Sequence, residues 1–389
     1  MSRLSLGIVS TSRKTDERRL PIHPEHLERI DPELRARITL EHGYGERFGQ
    51  ADEHLAPLVG RMATRAAILA ESDVVLLPKP QAADLAEMHP GQVLWGWPHC
   101  VQDGELTQQA IDHGLTLVAF EAMNHWRADG GFGLHVFHMN NEIAGYCSVL
   151  HALELQGVTG SYGRRRSAVV IGFGATARGA VTALVAHGFG EVDVLTHREV
   201  AAVAAPIHSA RMVHFDHDLT APFLSHVAAE GASVPLADFL AGHDVVVNCT
   251  LQDTRSPRVY LEVADLVMFR PGSLIVDVSC DERMGFGWAR PTSFREPMFE
   301  VGDHVGYYAV DHSPSYLWNS ATWEISEALL PFLGRMMAGP QGREADETLR
   351  RATEIREGHV VNPAILHFQG RSAEHPHGRH ARPPVTLAD

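Results

Sequence analysis

The segment Ala168-Val-Val-Ile171-Gly172-Phe-Gly174-Ala-Thr-Ala177 constrains this chain more than any other. Its apolar start is of the kind that forms a parallel strand buried on both faces. The turn follows at once, and the helical stretch Arg178–His187 completes a strand–turn–helix. Gly172 permits the tight turn, Gly174 lets the backbone approach a pyrophosphate, and Ala177 allows close helix–strand packing. The helix start offers free N–H groups and a positive dipole end to phosphate. In this context Gly172, Gly174, Ala175, Thr176 and Ala177 read as a dinucleotide cradle; a purely structural turn is the alternative.

The next strand ends Val194-Leu195-Thr196-His197-Arg198. An NAD site usually places Asp or Glu here, on the ribose 2′-OH. Thr196 stands in its place, and Arg198 is suited to pair bidentately with a 2′-phosphate. NADP(H) is therefore expected over NAD(H), with Thr196, His197 and Arg198 in the site; a solvent-facing Arg198 is the alternative. Cys249 and Thr250, after the strand Asp244–Asn248, join the expected cofactor set.

Apolar runs of strand length alternate with helix-period segments along most of the chain, which signals βαβ units. Leu4–Val9, Arg37–Leu40, Asp73–Leu77, Val93–Trp97 and Leu115–Phe120 read as strands. A helix starts at Pro24, and others cover Met62–Glu71, Glu105–His113 and Asn140–Gly157. A second series has strands Ala168–Ile171, Val192–Leu195, Arg211–Phe215, Asp244–Asn248 and Ser273–Val276, followed by the helical stretch Ser320–Phe332. With 389 residues, two domains are expected. The class is α/β: two Rossmann-like, doubly wound parallel-sheet domains with a cleft between them.

Lys and Arg number 33 against 48 Asp and Glu, a formal net charge of −15. That argues against nucleic acid and anionic membrane surfaces as partners. The four cysteines (Cys100, Cys147, Cys249, Cys280) are scattered, implying neither a disulfide framework nor a metal knuckle. No apolar run approaches a membrane span, and Met1–Ser10 lacks a signal core. A cytoplasmic location and no bound metal are expected.

Three first-domain residues sit at strand ends or in the loops beyond, where sites collect in such sheets. Arg19 suits a carboxylate clamp, Lys79 a carbonyl polariser, and His99 proton exchange near neutral pH. Singly, each reads more readily as a surface charge or a structural histidine.

Motif order links them. The motifs are Glu17-Arg-Arg-Leu-Pro, Gly96-Trp-Pro-His, His135-Val-Phe-His-Met-Asn-Asn-Glu-Ile-Ala-Gly145 and Asp277-Val-Ser-Cys-Asp-Glu282. Tyr308-Ala-Val-Asp-His-Ser-Pro-Ser315, Leu317-Trp-Asn-Ser-Ala321 and Val361-Asn-Pro-Ala-Ile-Leu-His-Phe-Gln369 follow. From residue 4 to about 371 the chain resembles the alanine dehydrogenase, transhydrogenase and saccharopine dehydrogenase superfamily. Within it, the chain is most similar to the N5-(carboxyethyl)ornithine synthases.

The resemblance implies that Arg19 binds a keto-acid carboxylate, that Lys79 and His99 act on the reacting carbon, and that Asp281 closes over the nicotinamide. His312-Ser-Pro stands where alanine dehydrogenases carry Asn-Met-Pro. Asp311-His312 and His99-Cys100 instead resemble saccharopine dehydrogenase, away from ammonia and towards a larger amine. The implied reaction is an NADPH-dependent reductive condensation of pyruvate, or a similar 2-keto acid, with an amino-acid side-chain amine such as that of ornithine or lysine. Glu121, Asp311 and His312 are expected on the substrates. An ammonia-using amino-acid dehydrogenase and a saccharopine-dehydrogenase-like enzyme are the alternatives. The partners are small molecules, and a homo-oligomer is expected. Residues 1–139 with 312–371 form the expected substrate domain and 140–311 the NADP-binding domain, with a disordered tail at 372–389.

Overall fold

Along the strands of one part of the chain, successive side chains point to opposite faces, and both faces are apolar. Leu6, Ile8, Val74, Leu76, Val93, Trp95 and Val118 pack on one side. Val75, Leu77, Leu94 and Leu117 pack on the other, with Ile68, Leu69 and Leu106. A sheet with no polar face needs helices on both sides. The computed structural model, which describes residues 3–197, 210–216, 226–229, 232–252 and 257–379, has that arrangement. β1 (Leu6–Ile8), β2 (Ile38–Glu41), β3 (Arg61–Ala63), β4 (Val74–Leu76), β5 (Val93–Gly96) and β6 (Thr116–Ala119) are parallel, in the order β3-β2-β1-β4-β5-β6. The order reverses between β1 and β4, so loops at the carboxyl ends flank the position where α/β sheets bind ligands. The strand Thr353–Arg356 adds antiparallel to β6.

A second unit repeats this order. Side by side run Arg211–Asp216, Glu191–Thr196 and Ser167–Ile171, then Val245–Asn248, Ser273–Asp277 and Val305–Tyr308, all parallel, with antiparallel strands added beyond each end. Val169, Ile171, Val246 and Ile275 face one core, and Ala168, Val170, Val245, Val247, Leu274 and Val276 the other. The fold is thus α/β, with two Rossmann-like parallel sheets.

One unit runs to Phe137 and resumes at Trp318; the other is His138–Leu317. The division after Leu317, rather than at 311/312, puts His312 in the second unit. Its cause is local: Ser313 Oγ donates to Ala144 O at 3.2 Å, and Tyr316 donates to Glu154, both on the helix His138–Gln156.

Three expectations are corrected. Met62–Glu71 is not one helix: β3 ends at Ala63, and Thr64 caps the helix Arg65–Glu71 by accepting from Ala67 N at 3.3 Å. Pro24 opens a 3-10 helix, Pro24–Arg29. The disordered tail does not begin at 372. His377 is buried and its Nε2 accepts from Val360 N at 3.1 Å, while Ser372 N donates to Gly378 O at 2.9 Å. A buried, hydrogen-bonded imidazole anchors the segment to Arg379. Among the described residues no helix is long and apolar enough to cross a membrane.

Candidate active site

In the first unit, Arg19, Lys79, His99 and Glu121 lie beyond the carboxyl ends of β1, β4, β5 and β6. Adjacent strands bring Lys79 and His99 together, because the β4–β5 pairing continues past the strands. Leu77 N donates to Trp95 O at 3.1 Å and Trp97 N to Pro78 O at 2.8 Å. Gly96 makes this possible: a Cβ there would lie 1.9 Å from Leu77 O. Beyond it, Lys79 Nζ is 2.7 Å from His99 Nε2. An ammonium only donates, so Nε2 is the acceptor and the imidazole proton belongs on Nδ1.

His99 has φ +47°, unusual for a residue with a Cβ. Its neighbours impose it. His99 N donates to Glu121 Oε1 at 2.7 Å, and His99 O accepts from Gln102 N and Asp103 N at 3.0 and 2.9 Å. Strain of about 1–3 kcal/mol held in this way is common at functional sites. His99 Nδ1 also faces Glu121 Oε1 at 3.7 Å. Glu121 Oε2 is buried without a hydrogen-bond partner among the described residues. Burial first, then the nearby carboxylate Glu354, push the Glu121 carboxyl up to about 8.

Arg19 is buried against a carboxylate. Its Nε and Nη2 donate to Glu17 Oε1 and Oε2 at 2.8 and 2.5 Å, and its guanidinium lies 5.1 Å from the centre of the Trp97 ring. Trp97 thereby ties Arg19 to the loop that carries His99. A hollow of about 330 Å³ opens at Leu20, the residue after Arg19, lined also by Ser10, His42, Arg47 and Asp52.

The second unit holds the remaining residues. Gly172 has φ +106°, and a Cβ there would sit 3.1 Å from Cys249 O. Gly172 N donates to Leu195 O and Cys249 N to Ile171 O, both at 2.9 Å. A Cβ on Gly174 would meet nothing within 4 Å, so the turn is open where a pyrophosphate would lie. Gly174 caps the helix Ala175–Ala186 with no side-chain bond to the first amides, and Ala177 is buried beneath it. These residues fit a dinucleotide.

Thr196 is buried at the end of its strand, and the His197 ring lies against Phe215, with Nδ1 3.1 Å from Phe215 O. Arg198 lies outside the described residues. Thr250 N and Oγ1 both donate to Asn248 Oδ1, at 3.2 and 2.7 Å. Burial pushes the Cys249 thiol up, so it is neutral. Burial likewise raises the partly buried carboxyl of Asp281. Asp311 Oδ1 lies 2.6 Å from Nδ1 of the buried His312, whose Nε2 has no partner among the described residues.

Sequence reasoning passed over four residues. Glu17 and Trp97 stand inside quoted motifs but hold Arg19. Asp277 is fully buried and accepts from Tyr307 OH (2.7 Å), Asn248 Nδ2 (3.0 Å) and Cys280 N (3.2 Å). It joins the loops that carry Thr250 and Asp281. Its position opening the Asp277–Glu282 motif was the available signal. Glu354 had none, since its strand lies far along the chain from Glu121.

The alanine dehydrogenase/PNT N-terminal domain family matches residues 7–144, and the corresponding C-terminal domain family matches 153–363. The alanine dehydrogenase of Mycobacterium tuberculosis is 25% identical over 341 residues, covering 84% of this chain and 85% of that protein. The N(5)-(carboxyethyl)ornithine synthase of Clostridium botulinum is 22% identical over 330 residues, covering 80% and 89%. An L-alanine dehydrogenase structure shares the fold with a TM-score of 0.73 at 20% identity, over 94% of this chain and 99% of that one. The chain is an oxidoreductase that belongs to the alanine dehydrogenase/PNT family.

Proposed function

We propose that this dehydrogenase catalyses the NADPH-dependent reductive condensation of pyruvate, or a similar 2-keto acid, with the side-chain amine of an amino acid such as ornithine or lysine. The observation that carries this reading is the Lys79–His99 pair, 2.7 Å apart beyond the sheet and backed by Glu121. A reduced nicotinamide dinucleotide would be held at Gly172–Ala177, with Arg198 assigned to its 2′-phosphate, and would supply hydride.

Arg19, its plane set by Glu17 and Trp97, holds the keto-acid carboxylate. Lys79 polarises the carbonyl oxygen. The amine attacks the keto carbon, and His99 moves protons as the carbinolamine loses water to an imine, which is reduced to a secondary amine. Neutral at Nε2 and fed by an ammonium, His99 suits both proton uptake and delivery. Glu121 is committed to the His99 amide, so the cation-holding role falls to Asp311, with His312 beside it. Asp281 is the acid assigned to the nicotinamide.

The similarity to several alanine dehydrogenases favours a second reading, in which ammonia is the amine. A panel of keto acids against amines separates the two, with NADPH consumption followed and product masses measured. Turnover that needs ornithine or lysine supports the condensation. Turnover that needs only ammonium replaces it with the second reading. An Arg198→Asp variant with unchanged NADPH/NADH preference would overturn the cofactor assignment. Light scattering tests the expected homo-oligomer.

A further inference from the structure

The motif Val361–Gln369 lies far along the chain from His99, yet its last residue grips the residue beside it. The motif forms the helix Pro363–Gln369, capped by Asn362, whose Oδ1 accepts from Ala364 N at 3.0 Å. Ile365 packs into the same core as Cys100 and Leu106, so the helix ends against the loop that follows His99. There the half-buried Gln369 donates from Nε2 to Cys100 O at 2.6 Å and to Val101 O at 3.2 Å. Thr107 Oγ1 also donates to Cys100 O, at 2.8 Å, which uses both lone pairs of that carbonyl. Chemistry fixes the amide's orientation: its NH2 faces carbonyl oxygens, and its Oε1 accepts from Arg371 Nε at 2.6 Å. Gly370, with φ +60°, turns the chain so that the buried Arg371 can reach back. Arg371 donates in turn to Gln108 Oε1 at 2.7 Å and to Gly104 O at 3.2 Å, both on the helix Gly104–Asp112.

We propose that Gln369 is a positioning residue for His99: its amide clamps the Cys100 carbonyl and so keeps the left-handed backbone that brings the imidazole to Lys79. Before His99 the loop is held where Trp97 N donates to Pro78 O, and at His99 itself where the amide donates to Glu121. Gln369 closes the grip on the far side. A positive φ on a residue with a Cβ persists only where its surroundings over-determine it. Release of Cys100 O frees the peptide after Cys100, and His99 can then relax towards negative φ, away from Lys79.

The positioning role rests on the reading of Lys79–His99 as the reacting pair; the clamp does not. Cys100 reads the clamp without turnover, because it is a free thiol with no exposed surface. Its alkylation by iodoacetamide in the whole chain is measured by peptide mass spectrometry, with Cys147, buried in the other unit, as the control. Gln369→Leu keeps the bulk and removes the donors. Cys100 labelling should rise by about 10-fold, the effect of one lost anchor on a local opening. Labelling of Cys147 and NADPH affinity should not change. The kcat should fall by about 10–100-fold, the scale set by a reacting group misplaced by about 1 Å.

Gln369→Glu keeps Oε1 for Arg371 but turns a bare oxygen towards Cys100 O. Once protonated, that carboxyl donates to Cys100 O again, so kcat relative to the parent should recover as pH falls from about 8 to about 5. Unchanged Cys100 labelling in Gln369→Leu, an equal rise at Cys147, or a pH-independent ratio in Gln369→Glu overturns the proposal. Should no substrate pair turn over while Cys100 labelling still rises, the proposed function fails and the clamp stands.

Discussion

Lys79 Nζ and His99 Nε2 meet at 2.7 Å because β4 and β5 are neighbours whose hydrogen bonding runs two residues beyond the strands. The contact joins an ammonium donor to an imidazole acceptor. His99→Ala is expected to lower turnover by about 10²–10⁴-fold, the usual contribution of a general acid–base. NADPH affinity, read by fluorescence titration, should stay unchanged. Normal turnover in that variant would remove His99 from the chemistry.

Gly96 is the pivot of that contact. Gly96→Ala would place a methyl 1.9 Å from Leu77 O, a backbone atom that cannot swing aside. The loops after β4 and β5 must part, costing about 1–3 kcal/mol as overpacking does. Denaturant midpoint and kcat should fall together. Gly174→Ala, by contrast, enters open space. It should leave the midpoint unchanged and weaken NADPH binding alone.

The partners Arg19 and Glu17 are buried together, with side chains 3% and 1% exposed. Arg19→Ala strands the Glu17 charge, and breaking such a pair costs about 3–5 kcal/mol. Chemical denaturation should show this loss, with much of it recovered in the double variant Glu17→Ala/Arg19→Ala. The double variant should still have a raised KM for the keto acid. An unchanged KM would take Arg19 out of substrate binding.

Much of this architecture was legible in the sequence because its signals are local. β1, β4, β5 and β6 announce themselves as short apolar runs, and Gly172–Ala177 is a contiguous turn. Arg19, Lys79 and His99 follow strand ends, so the fold class already favoured a site there. What stayed hidden depends on contacts distant along the chain. β3 was absorbed into a helix because a three-residue edge strand beside Thr64 carries too little pattern to separate it. Glu354 comes near enough to raise the Glu121 carboxyl only because the strand Thr353–Arg356 returns to β6. The anchoring of residues 372–379 turns on His377, one imidazole in a stretch whose composition suggests disorder.

Asp277 gives a pH prediction. Burial raises its carboxyl from 3.8 to about 6, against the donors Tyr307, Asn248 and Cys280. The folded state therefore binds this proton more tightly than the unfolded chain. Its stabilising effect is full below pH 3.8 and is lost as pH rises through about 6, a swing of about 3 kcal/mol. Stability measured across that window should show this downward contribution, and Asp277→Asn should abolish it. An identical slope in the variant would contradict the assignment.

The most direct test of the account is isotopic. NADPH deuterated at nicotinamide C4, on the transferable face, is incubated with pyruvate, ornithine or lysine, and the enzyme, and the product is analysed by mass spectrometry. The account predicts a secondary amine carrying one deuterium on the former keto carbon, formed by the parent chain and almost absent with His99→Ala. Deuterated alanine or lactate as the sole product, or an equal yield from His99→Ala, would contradict it.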